Sequence, residues 1–526
     1  MFSEYEEDES RGFGDFDYNL PESRQNQLEQ GWPGIFYEKI FKNIDESKFE
    51  VLFSDDMGRP NFPVKILIAL AILRQLFDLT DKQVVDSFNY DIRFMKAVGL
   101  KRVGQLNLGY RTVYDFREKL VKHAKETGNN LLAEIFEELT DELMEIADLK
   151  TEIQKMDSTM VDANIKNLSR IELMRKTLDN FVSDLDQSQK KKIHKNILAL
   201  LSEEKFRDYL DEYSKEEIRE MLLGKLKTIK QHFKNDEEVN KLKSYELLCR
   251  LVDDQTIETG EELKDDEDID SDSLQNPHDP DATYRSKGKS SSQGYAFNIS
   301  ETSHPDNPVQ MITDVAVEPN IHSDIKFLND SLPDICQRME LDKMVVDAGY
   351  FGQTSQKQAE KADTELIPTG LTGEEPEYST AGFKLENESG IKACPAGLIP
   401  ERTKYLEKND YYAAWFKKSD CSQCSHRNKC PVKEQKKDMT VRFTGRRHEL
   451  DIMREKFKGQ EYEKLKKLRP AIEGTISSLK RAYGLDKFKA TGLIKAKMNG
   501  VLKAISYNFN QLCRFIMGKT RPAYDS

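Results

Sequence analysis

Hydrophobic residues in the first part of the chain recur at helical spacing. Pro63, a residue favoured at helix starts, precedes the apolar segment VKILIALAILRQLF. The segment DKQVVDSFNYD follows Thr80, and Gln83 stands three residues after Thr80, as in a capping box. Thr112 and Asp115 repeat this spacing at the start of VYDFREKL. These signals predict helices with short connections, which fit either a helix-turn-helix domain or an ordinary helical bundle.

Strand patterns appear later in the chain. The segments that combine apolar or β-branched runs with flanking turn formers are 151–159, 294–300, 309–319, 343–350 and 364–370. Helical spacing fills 323–340 and 353–363 between them, and a Lys/Glu/Leu-rich block at 165–252 is also helical in pattern. This order predicts an α/β sheet domain with a helical insertion after its first strand.

Charge is distributed unevenly along the chain. The 526 residues carry a formal net charge of −13, yet residues 431–526 hold 23 Lys and Arg against 10 Asp and Glu. Such a basic segment fits either contact with nucleic-acid phosphates or a Lys-rich solvated helical surface. The apolar runs are too short to span a bilayer and the acidic N-terminus does not resemble a signal peptide, so we expect a cytoplasmic protein without a membrane role.

Two aspartates stand at the ends of predicted strands. Asp347 follows the buried run Met344–Val346 and precedes Gly349, which permits a turn. Asp157 ends a weaker strand, because Gln154 and Lys155 interrupt its apolar pattern. Functional groups gather beyond strand ends in α/β sheets, although a strand-end cap or a solvated turn residue gives the same pattern. Asp162 and Asp314 are rival carboxylates.

Glu473 lies in a predicted helix near the C-terminus. Arg469 and Lys480 are spaced four residues before it and seven after it, so a helix would place all three on one face. Ile472 and Ile476 form an apolar stripe alongside. A surface ion pair with a trailing lysine would show the same spacing.

Four cysteines are concentrated in one stretch, as Cys394 followed by Cys421, Cys424 and Cys430. Thiolates and Zn²⁺ match in softness, so the cluster predicts a closed structural zinc site in a loop-rich segment, with His426 as an alternative ligand. Four free thiols are the other interpretation.

Several blocks together resemble the DDE (Asp-Asp-Glu) transposases of bacterial insertion sequences, in the branch with a helical N-terminal domain. The matching blocks are LTDKQVVDSFNYDIRFMKAVGL with YRTVYDFREKL, KMDSTMVDANI, VVDAGYFG and RPAIEGTISSLKRAYGLDKFKATGLIKAKMNGVLKAISYNFNQL. They occur in the family's order. The related signature Tyr-x2-Arg-x3-Glu-x6-Lys is met at Arg469, Glu473 and Lys480, while Lys466 stands where it has Tyr.

The resemblance implies an RNase H-like catalytic domain in which Asp157, Asp347 and Glu473 hold two Mg²⁺ or Mn²⁺ ions. It implies hydrolysis and strand transfer at the ends of an insertion sequence, with the terminal inverted repeats and target DNA as double-stranded partners and a homodimer on DNA. A metal-dependent nuclease without strand transfer and a domesticated DNA-binding protein remain alternatives. The candidate DNA-binding residues are Arg446, Arg447, Arg469, Lys480, Arg481, Lys487, Lys489, Arg111 and Arg117.

The fold expected from these patterns and from the resemblance is an α/β, RNase H-like domain carrying a helical and a Cys-rich insertion, preceded by an all-α domain. The expected segments are an arm at 1–35, a helical DNA-binding domain at 36–145, the catalytic core at 146–164 and 284–375, a helical insertion at 165–252, an acidic linker at 253–283, a zinc-binding insertion at 376–440, and the Glu helix with basic helices at 441–526.

Overall fold

A computed structural model of the protein describes residues 2–7, 12–53, 61–257, 262–287, 290–371, 373–386 and 389–518. The fold is mixed α/β, and the chain forms two compact units. The first consists of Met1–Glu340 and Ile472–Ser526, and the second of Leu341–Ala471. Among the described residues, no helix is both long and apolar enough to cross a membrane.

The first unit opens with helices that precede its first strand. They are α1 (Phe16–Asn19), α2 (Glu22–Gln30), α3 (Trp32–Phe36), α4 (Val64–Leu76), α5 (Asp81–Tyr90), α6 (Ile92–Ala97), α7 (Tyr110–Thr127) and α8 (Leu131–Ile146). The helix predicted after Pro63 is confirmed, and so is the capping box of Thr80 and Gln83. The cap predicted at Thr112 is wrong, because α7 begins after Gly109 in an extended conformation and Thr112 lies within its first turn.

The segment expected to be an N-terminal arm packs against these helices. Trp32 is buried, and its ring centroid lies 4.8 Å from that of Phe77 and 5.7 Å from that of Phe94. Phe16 belongs to the same hydrophobic core. Aromatic burial of this kind ties the described part of 1–35 to the helical core.

The helical block predicted after the first strand is present. Its helices are α9 (Arg170–Asp184), α10 (Gln187–Lys190), α11 (Lys195–Ala199), α12 (Glu203–Glu212), α13 (Lys215–Phe233), α14 (Glu237–Asn240) and α15 (Lys243–Asp254). They share a separate hydrophobic core. In the predicted acidic linker, Leu274 joins that core and Asp279 accepts a hydrogen bond from the Tyr295 hydroxyl, so these residues are packed rather than solvated.

The sheet of the first unit is antiparallel and built around its longest strand. Its strands are β1 (Ile153–Asp162), β2 (Thr283–Lys287), β3 (Ser290–Thr302) and β4 (Ile312–Pro319), and helix α16 (Asp324–Arg338) follows them. Strand β3 pairs with β1, β2 and β4, and Asp157 lies opposite Ile299 in this register. The strands and helix predicted from the sequence in this region are confirmed, whereas β2 was not predicted.

The second unit begins with the parallel pair β5 (Lys343–Val346) and β6 (Glu365–Pro368), connected through α17 (Gln353–Lys361). It continues with β7 (Lys384–Glu386), β8 (Gly390–Ala393), β9 (Arg402–Leu406), β10 (Tyr411–Phe416), α18 (Lys418–Ser422), β11 (Lys433–Glu434), β12 (Met439–Thr444), α19 (Gly445–Lys456) and α20 (Gln460–Lys466). Strands β11, β12, β10 and β9 form an antiparallel sheet in that order. The expectation of a loop-rich Cys segment is therefore wrong, and the alternating burial of aromatic residues in YYAAWF explains why a strand forms there.

The chain then forms α21 (Pro470–Tyr483) and returns to the core of the first unit with α22 (Leu493–Met517). Helix α22 is buried over most of its length and packs against α4, α8 and β4. Asn508 binds both the N–H and the carbonyl oxygen of Ile312 at 2.8 Å, which satisfies the β4 backbone at its start. The N-terminal helices, the sheet and the C-terminal helix thus share one hydrophobic core.

Candidate active site

Asp157 lies in the middle of β1, so the expectation that it ends the strand is wrong, because pairing with β3 continues to Asp162. Gln154, Lys155 and Met156 are all nearly inaccessible to solvent, and Asp157 is 8% exposed. Its Oδ1 accepts a hydrogen bond of 2.9 Å from the N–H of Ser158. The two polar residues that weakened the strand pattern are buried because each has a partner, Thr313 for Gln154 and Glu301 for Lys155.

Glu473 projects from the first turn of α21, which starts at Pro470. The predicted apolar stripe is present, since Ile472 and Ile476 are buried while Glu473 is exposed. One face of the helix is therefore anchored in the core and the other presents its carboxylate to solvent. A carboxylate in the first turn also suits the positive end of the helix dipole.

Asp157 and Glu473 line the same open cavity. The described residues that line it are Asp157, Ser158, Thr159, Glu473, Ile476, Ser477, Lys480, Arg481 and Asp486. The structure thus brings together two of the predicted carboxylates and the predicted Lys480 and Arg481. A cavity with acidic and basic groups on its walls can bind a cation and a phosphate side by side.

Asp486 is a further carboxylate in this cavity that the sequence interpretation missed. It follows the end of α21, where its carbonyl oxygen accepts a hydrogen bond of 3.1 Å from the N–H of Asp162. Phe488 donates to the Asp162 carbonyl oxygen over 3.1 Å, so the chain after α21 runs beside the end of β1. A lone aspartate after a helix carries no distinctive sequence pattern, and this pairing alone places it in the cavity.

Asp347 belongs to the second unit and stands directly after β5, as predicted. Its Oδ1 accepts a hydrogen bond of 2.7 Å from the N–H of Gly349, and Arg469 Nη2 lies 3.7 Å from its Oδ2. Arg469 precedes α21, which starts at Pro470, so the expectation that it shares a helix face with Glu473 is wrong. A proline favours the first position of a helix, which accounts for that boundary.

The rival carboxylates have other partners. Asp162 Oδ1 accepts a hydrogen bond of 2.7 Å from the Ser292 hydroxyl. Burial raises the pKa of Asp314 to about 6, against the opposing effects of Ser331 and Arg338. Neither Asp162 nor Asp314 is among the described residues that line the cavity.

The donor set of the cavity suits a hard divalent cation. Asp157, Glu473 and Asp486 supply carboxylate oxygens, the ligands that Mg²⁺ and Mn²⁺ prefer. Among the described residues, however, no group of three or more His, Cys, Asp or Glu side chains is placed to hold a metal ion.

Two family models match the chain at opposite ends. The model of a transposase domain (DUF772) matches residues 23–119, and that of a transposase DDE domain matches residues 393–513. Both matches are to transposase domains, and their order is consistent with a DDE transposase of an insertion sequence. The DDE match contains Glu473 and the four clustered cysteines, whereas Asp157 and Asp347 precede it. Neither the curated proteins nor the solved structures include a match to the chain.

The four clustered cysteines all lie in the second unit. Cys394 and Cys421 are buried, and Cys430 packs against the same small core. Burial raises the pKa of the Cys421 thiol, and the thiols of Cys430, Cys394 and Cys424 raise it further. Thiolates are ligands that Zn²⁺ prefers, but the described residues contain no group of three or more of these side chains placed to hold a metal ion.

The candidate DNA-binding residues of the first unit differ in how far they are engaged. Arg111 is 83% exposed on α7 and forms a surface ion pair, with its Nε 2.7 Å from Asp115 Oδ1. Arg117, in contrast, donates two hydrogen bonds, of 3.0 and 2.8 Å, to Asp81. Lys489 is similarly paired, 2.6 Å from an oxygen of Asp78. The candidates with exposed side chains are Arg111, Arg481, Lys487 and Lys489.

In the second unit, Arg446 and Arg447 lie in the first turn of α19. Arg446 Nη1 is 3.4 Å from Glu449, and Arg447 donates a hydrogen bond of 2.9 Å to the carbonyl oxygen of Tyr378. Arg447 also lies 3.7 Å from the buried carboxylate of Asp451. Both arginines therefore contribute to the packing of this unit.

Proposed function

We propose that this transposase cuts DNA at the ends of its own insertion sequence and joins the resulting 3′-OH ends to a target. Divalent metal ions would be held by Asp157, Asp347 and Glu473. The observation that carries the proposal is the cavity shared by Asp157 and Glu473, in a chain whose DDE domain match contains Glu473. For Asp347, the support is its position at the end of a buried strand.

The chemistry assigns distinct tasks to the residues around the cavity. Two bound Mg²⁺ or Mn²⁺ ions would supply activation of the attacking oxygen and stabilisation of the leaving oxygen. Asp157 and Glu473 hold negative charge where such cations would bind. Lys480 and Arg481 place positive charge on the same cavity wall, where a DNA phosphate can be oriented.

The proposed fold of the catalytic region is RNase H-like. Its support is the order of the strands along the chain: the antiparallel β1, β3 and β4, followed by the parallel β5 and β6. The helical insertion then falls between β1 and β2. The catalytic glutamate would be supplied by α21.

We propose a structural zinc ion on Cys394, Cys421, Cys424 and Cys430. Cys394, Cys421 and Cys430 pack in one small core, and Cys424 follows Cys421 by three residues and raises the pKa of its thiol. The helices of the N-terminal match would contribute to binding double-stranded DNA, and two chains would act together on the two element ends. Metal analysis of the purified protein tests the zinc ion directly. We expect about one zinc per chain, lost in Cys424→Ser and retained in Cys249→Ser, whose thiol lies in α15 far along the chain from the cluster.

The catalytic proposal is tested with purified protein and DNA that carries the inverted repeats flanking its gene. We expect the wild type to cut at the repeat ends in Mg²⁺, and Asp347→Asn to bind the ends without cutting them. Asp162→Asn is the matched control, since its carboxylate is engaged by Ser292, and it should cut normally. Full cutting by Asp347→Asn would overturn the assignment.

Strand transfer is tested with precut ends and a supercoiled target. Joined products that depend on Mg²⁺ support the transposase reaction. Cutting without joining would instead indicate a nuclease on the same fold. Specific end binding with neither cutting nor joining would indicate a DNA-binding protein that has lost catalysis.

A further inference from the structure

The antiparallel sheet of the second unit has one side in a hydrophobic core and the other side toward solvent. Ala414 and Phe416 of β10 pack in the small core that contains Cys421. Because side chains alternate along a strand, Ala413 and Trp415 lie on the opposite side, which we call the outer face of β9, β10, β11 and β12. Its residues include Arg402, Lys404, Ala413, Trp415, Lys433 and Arg442.

Two cations of the outer face stand in one cross-strand row. Ala413 pairs with Lys404 on β9 and with Arg442 on β12. Neighbouring strands are about 4.8 Å apart, so the two cations rise from positions about 10 Å apart with only a methyl group between them. Both side chains are exposed, and among the described residues neither forms an ion pair. The row therefore presents two unneutralised charges with a low centre.

A third cation of the outer face is held over an aromatic ring. The guanidinium carbon of Arg402 lies 4.1 Å from the ring centroid of Trp415, its cross-strand partner. The ring attracts the cation and orients its planar group, while the N–H groups of an exposed guanidinium stay available to an oxyanion. Because Arg402 stands over the ring, the outer face offers cations to phosphates rather than a bare ring to an unpaired base.

The outer face is cationic without interspersed acidic groups. Strands β9, β10 and β12 contain no Asp or Glu, and Lys433 on β11 adds an exposed cation opposite Thr440. Glu434 of β11 pairs instead with Met439, whose side chain lies in the core, and its carboxylate is 3.0 Å from Lys418 Nζ. Solvated helical surfaces of this chain mix both signs, as EEKFRDYLDE in α12 does. A face of one sign, on a chain with a net charge of −13, fits a polyanionic partner.

We propose that the outer face binds the phosphate backbone of double-stranded DNA, through residues that the catalytic cavity does not use. Cations on a flat sheet can contact successive phosphates and so position a duplex without reading its base sequence. The inference rests on the proposed function, since it names a surface with which the same protein would hold its DNA. It also gives the small core around Cys421 a task, because that core supports the strands from behind.

The test compares two double variants of the full-length protein. Lys404→Gln with Arg442→Gln removes the two cations that flank Ala413. Lys384→Gln with Lys392→Gln is the matched control: it removes the same charge from β7 and β8, and Ile391 of β8 packs in the core on the other side of the sheet. All four side chains are exposed, so both proteins should keep the Tm of the wild type.

Binding to duplexes that carry the repeats flanking the gene is measured by fluorescence anisotropy over a range of salt concentrations. For Lys404→Gln with Arg442→Gln, we expect affinity to fall by about tenfold or more at moderate salt. We also expect the slope of log binding constant against log salt concentration to become shallower by about two units, as for the loss of two phosphate contacts. The control should bind with the affinity and salt slope of the wild type.

Wild-type affinity and salt slope in the folded Lys404→Gln, Arg442→Gln protein would overturn the inference, and cutting of the ends by that protein would leave the proposed function intact. A changed oligomeric state in sedimentation, with wild-type DNA affinity, would identify the outer face as a contact between copies of the chain and would also overturn it. A wild type that binds the ends through this face but does not cut them would count against the proposed function alone.

A second measurement needs no substitution. Amine-reactive labelling of the wild type with and without the duplex, read by mass spectrometry, should show Lys404 protected by DNA and Lys392 labelled equally in both samples. Equal labelling of Lys404 in both samples would overturn the inference even if the double variant failed to fold.

Discussion

The Lys480 ammonium donates a hydrogen bond of 3.3 Å to the main-chain oxygen of Met160, which joins α21 to β1 three residues beyond Asp157. Glu473 lies about two helical turns before Lys480, so the two side chains rise from the same side of α21. The helix is thereby fixed along the strand at one end by Lys480. At its other end it presents Glu473 to the cavity.

Replacing Lys480 should reduce both DNA binding and cutting. Lys480→Met removes a positive charge from the cavity wall. We expect the rate of end cutting to fall by about tenfold or more. We also expect the slope of log binding constant against log salt concentration to become shallower by about one unit, as for the loss of one phosphate contact. Lys497→Met is the control, because that ammonium is paired with Glu318 at 2.6 Å and does not line the cavity. If Lys480→Met cuts DNA ends at the wild-type rate and binds DNA with the wild-type salt dependence, Lys480 does not contact a DNA phosphate.

Arg111 and Arg117 should behave differently although both were predicted to bind DNA. Arg111→Ala removes an exposed charge, so we expect weaker DNA binding with an unchanged Tm. Arg117→Ala breaks the bidentate pair with Asp81, so we expect a lower Tm. Gel-shift titrations and thermal unfolding of both variants check this. A Tm loss in Arg111→Ala with normal DNA binding would contradict the assignment.

Helices and strands of the first unit followed from local sequence patterns, and the reasons are physical. The apolar run after Pro63 and the capping box of Thr80 each depend on residues within one or two helical turns, so the local sequence is sufficient to predict them. The cap at Thr112 failed because Gly109, three residues earlier, already ends the extended segment before α7. Local patterns thus identified elements better than their boundaries.

Only part of the candidate site could be predicted from the sequence, because some of its residues are brought together by contacts between distant parts of the chain. Glu473 could be predicted from its helix pattern and the family resemblance, whereas Asp157 depended chiefly on the resemblance, since it lies within β1 and not at its end. Asp486 enters the cavity because the chain after α21 pairs with the end of β1, a contact between residues more than 300 positions apart. Lys155 interrupts the apolar pattern of its strand, and only its cross-strand partner Glu301 explains why it is buried there. Long-range pairing of this kind leaves no local pattern.

Lys503 should make stability depend on pH. This lysine is buried in α22, donates to the carbonyl oxygen of Tyr483 at the end of α21, and has its pKa lowered by burial to about 7. Because the unfolded chain binds this proton more tightly, stability should fall as the pH falls from the ordinary lysine pKa of about 10.4 to about 7, and should level off below about 7, where Lys503 is protonated in both states. We expect the Tm of Lys503→Met to vary less between pH 7 and pH 10 than that of the wild type. Equal pH dependence in both proteins would contradict this.

Gly500 should be required where α22 meets the sheet. A Cβ at this position would lie 2.8 Å from Val317 Cγ2 and 2.9 Å from Phe297 Cε2. We expect Gly500→Ala to lower the free energy of unfolding by about 1–3 kcal/mol through overpacking. Gly224→Ala in α13 is the control, since its Cβ would meet open space and the change should stabilise by up to about 1 kcal/mol. A stabilised Gly500→Ala variant would contradict the close packing.

The claim that Asp157 and Glu473 form one cation site is tested most directly by Mn²⁺ titration of the purified protein, followed by electron paramagnetic resonance. The variants are Asp157→Asn, Glu473→Gln and the control Asp162→Asn, all with Tm values measured alongside. We predict that either site variant weakens Mn²⁺ binding at least tenfold and abolishes end cutting, while Asp162→Asn matches the wild type. Wild-type Mn²⁺ affinity and cutting in a folded Asp157→Asn or Glu473→Gln variant would contradict the account.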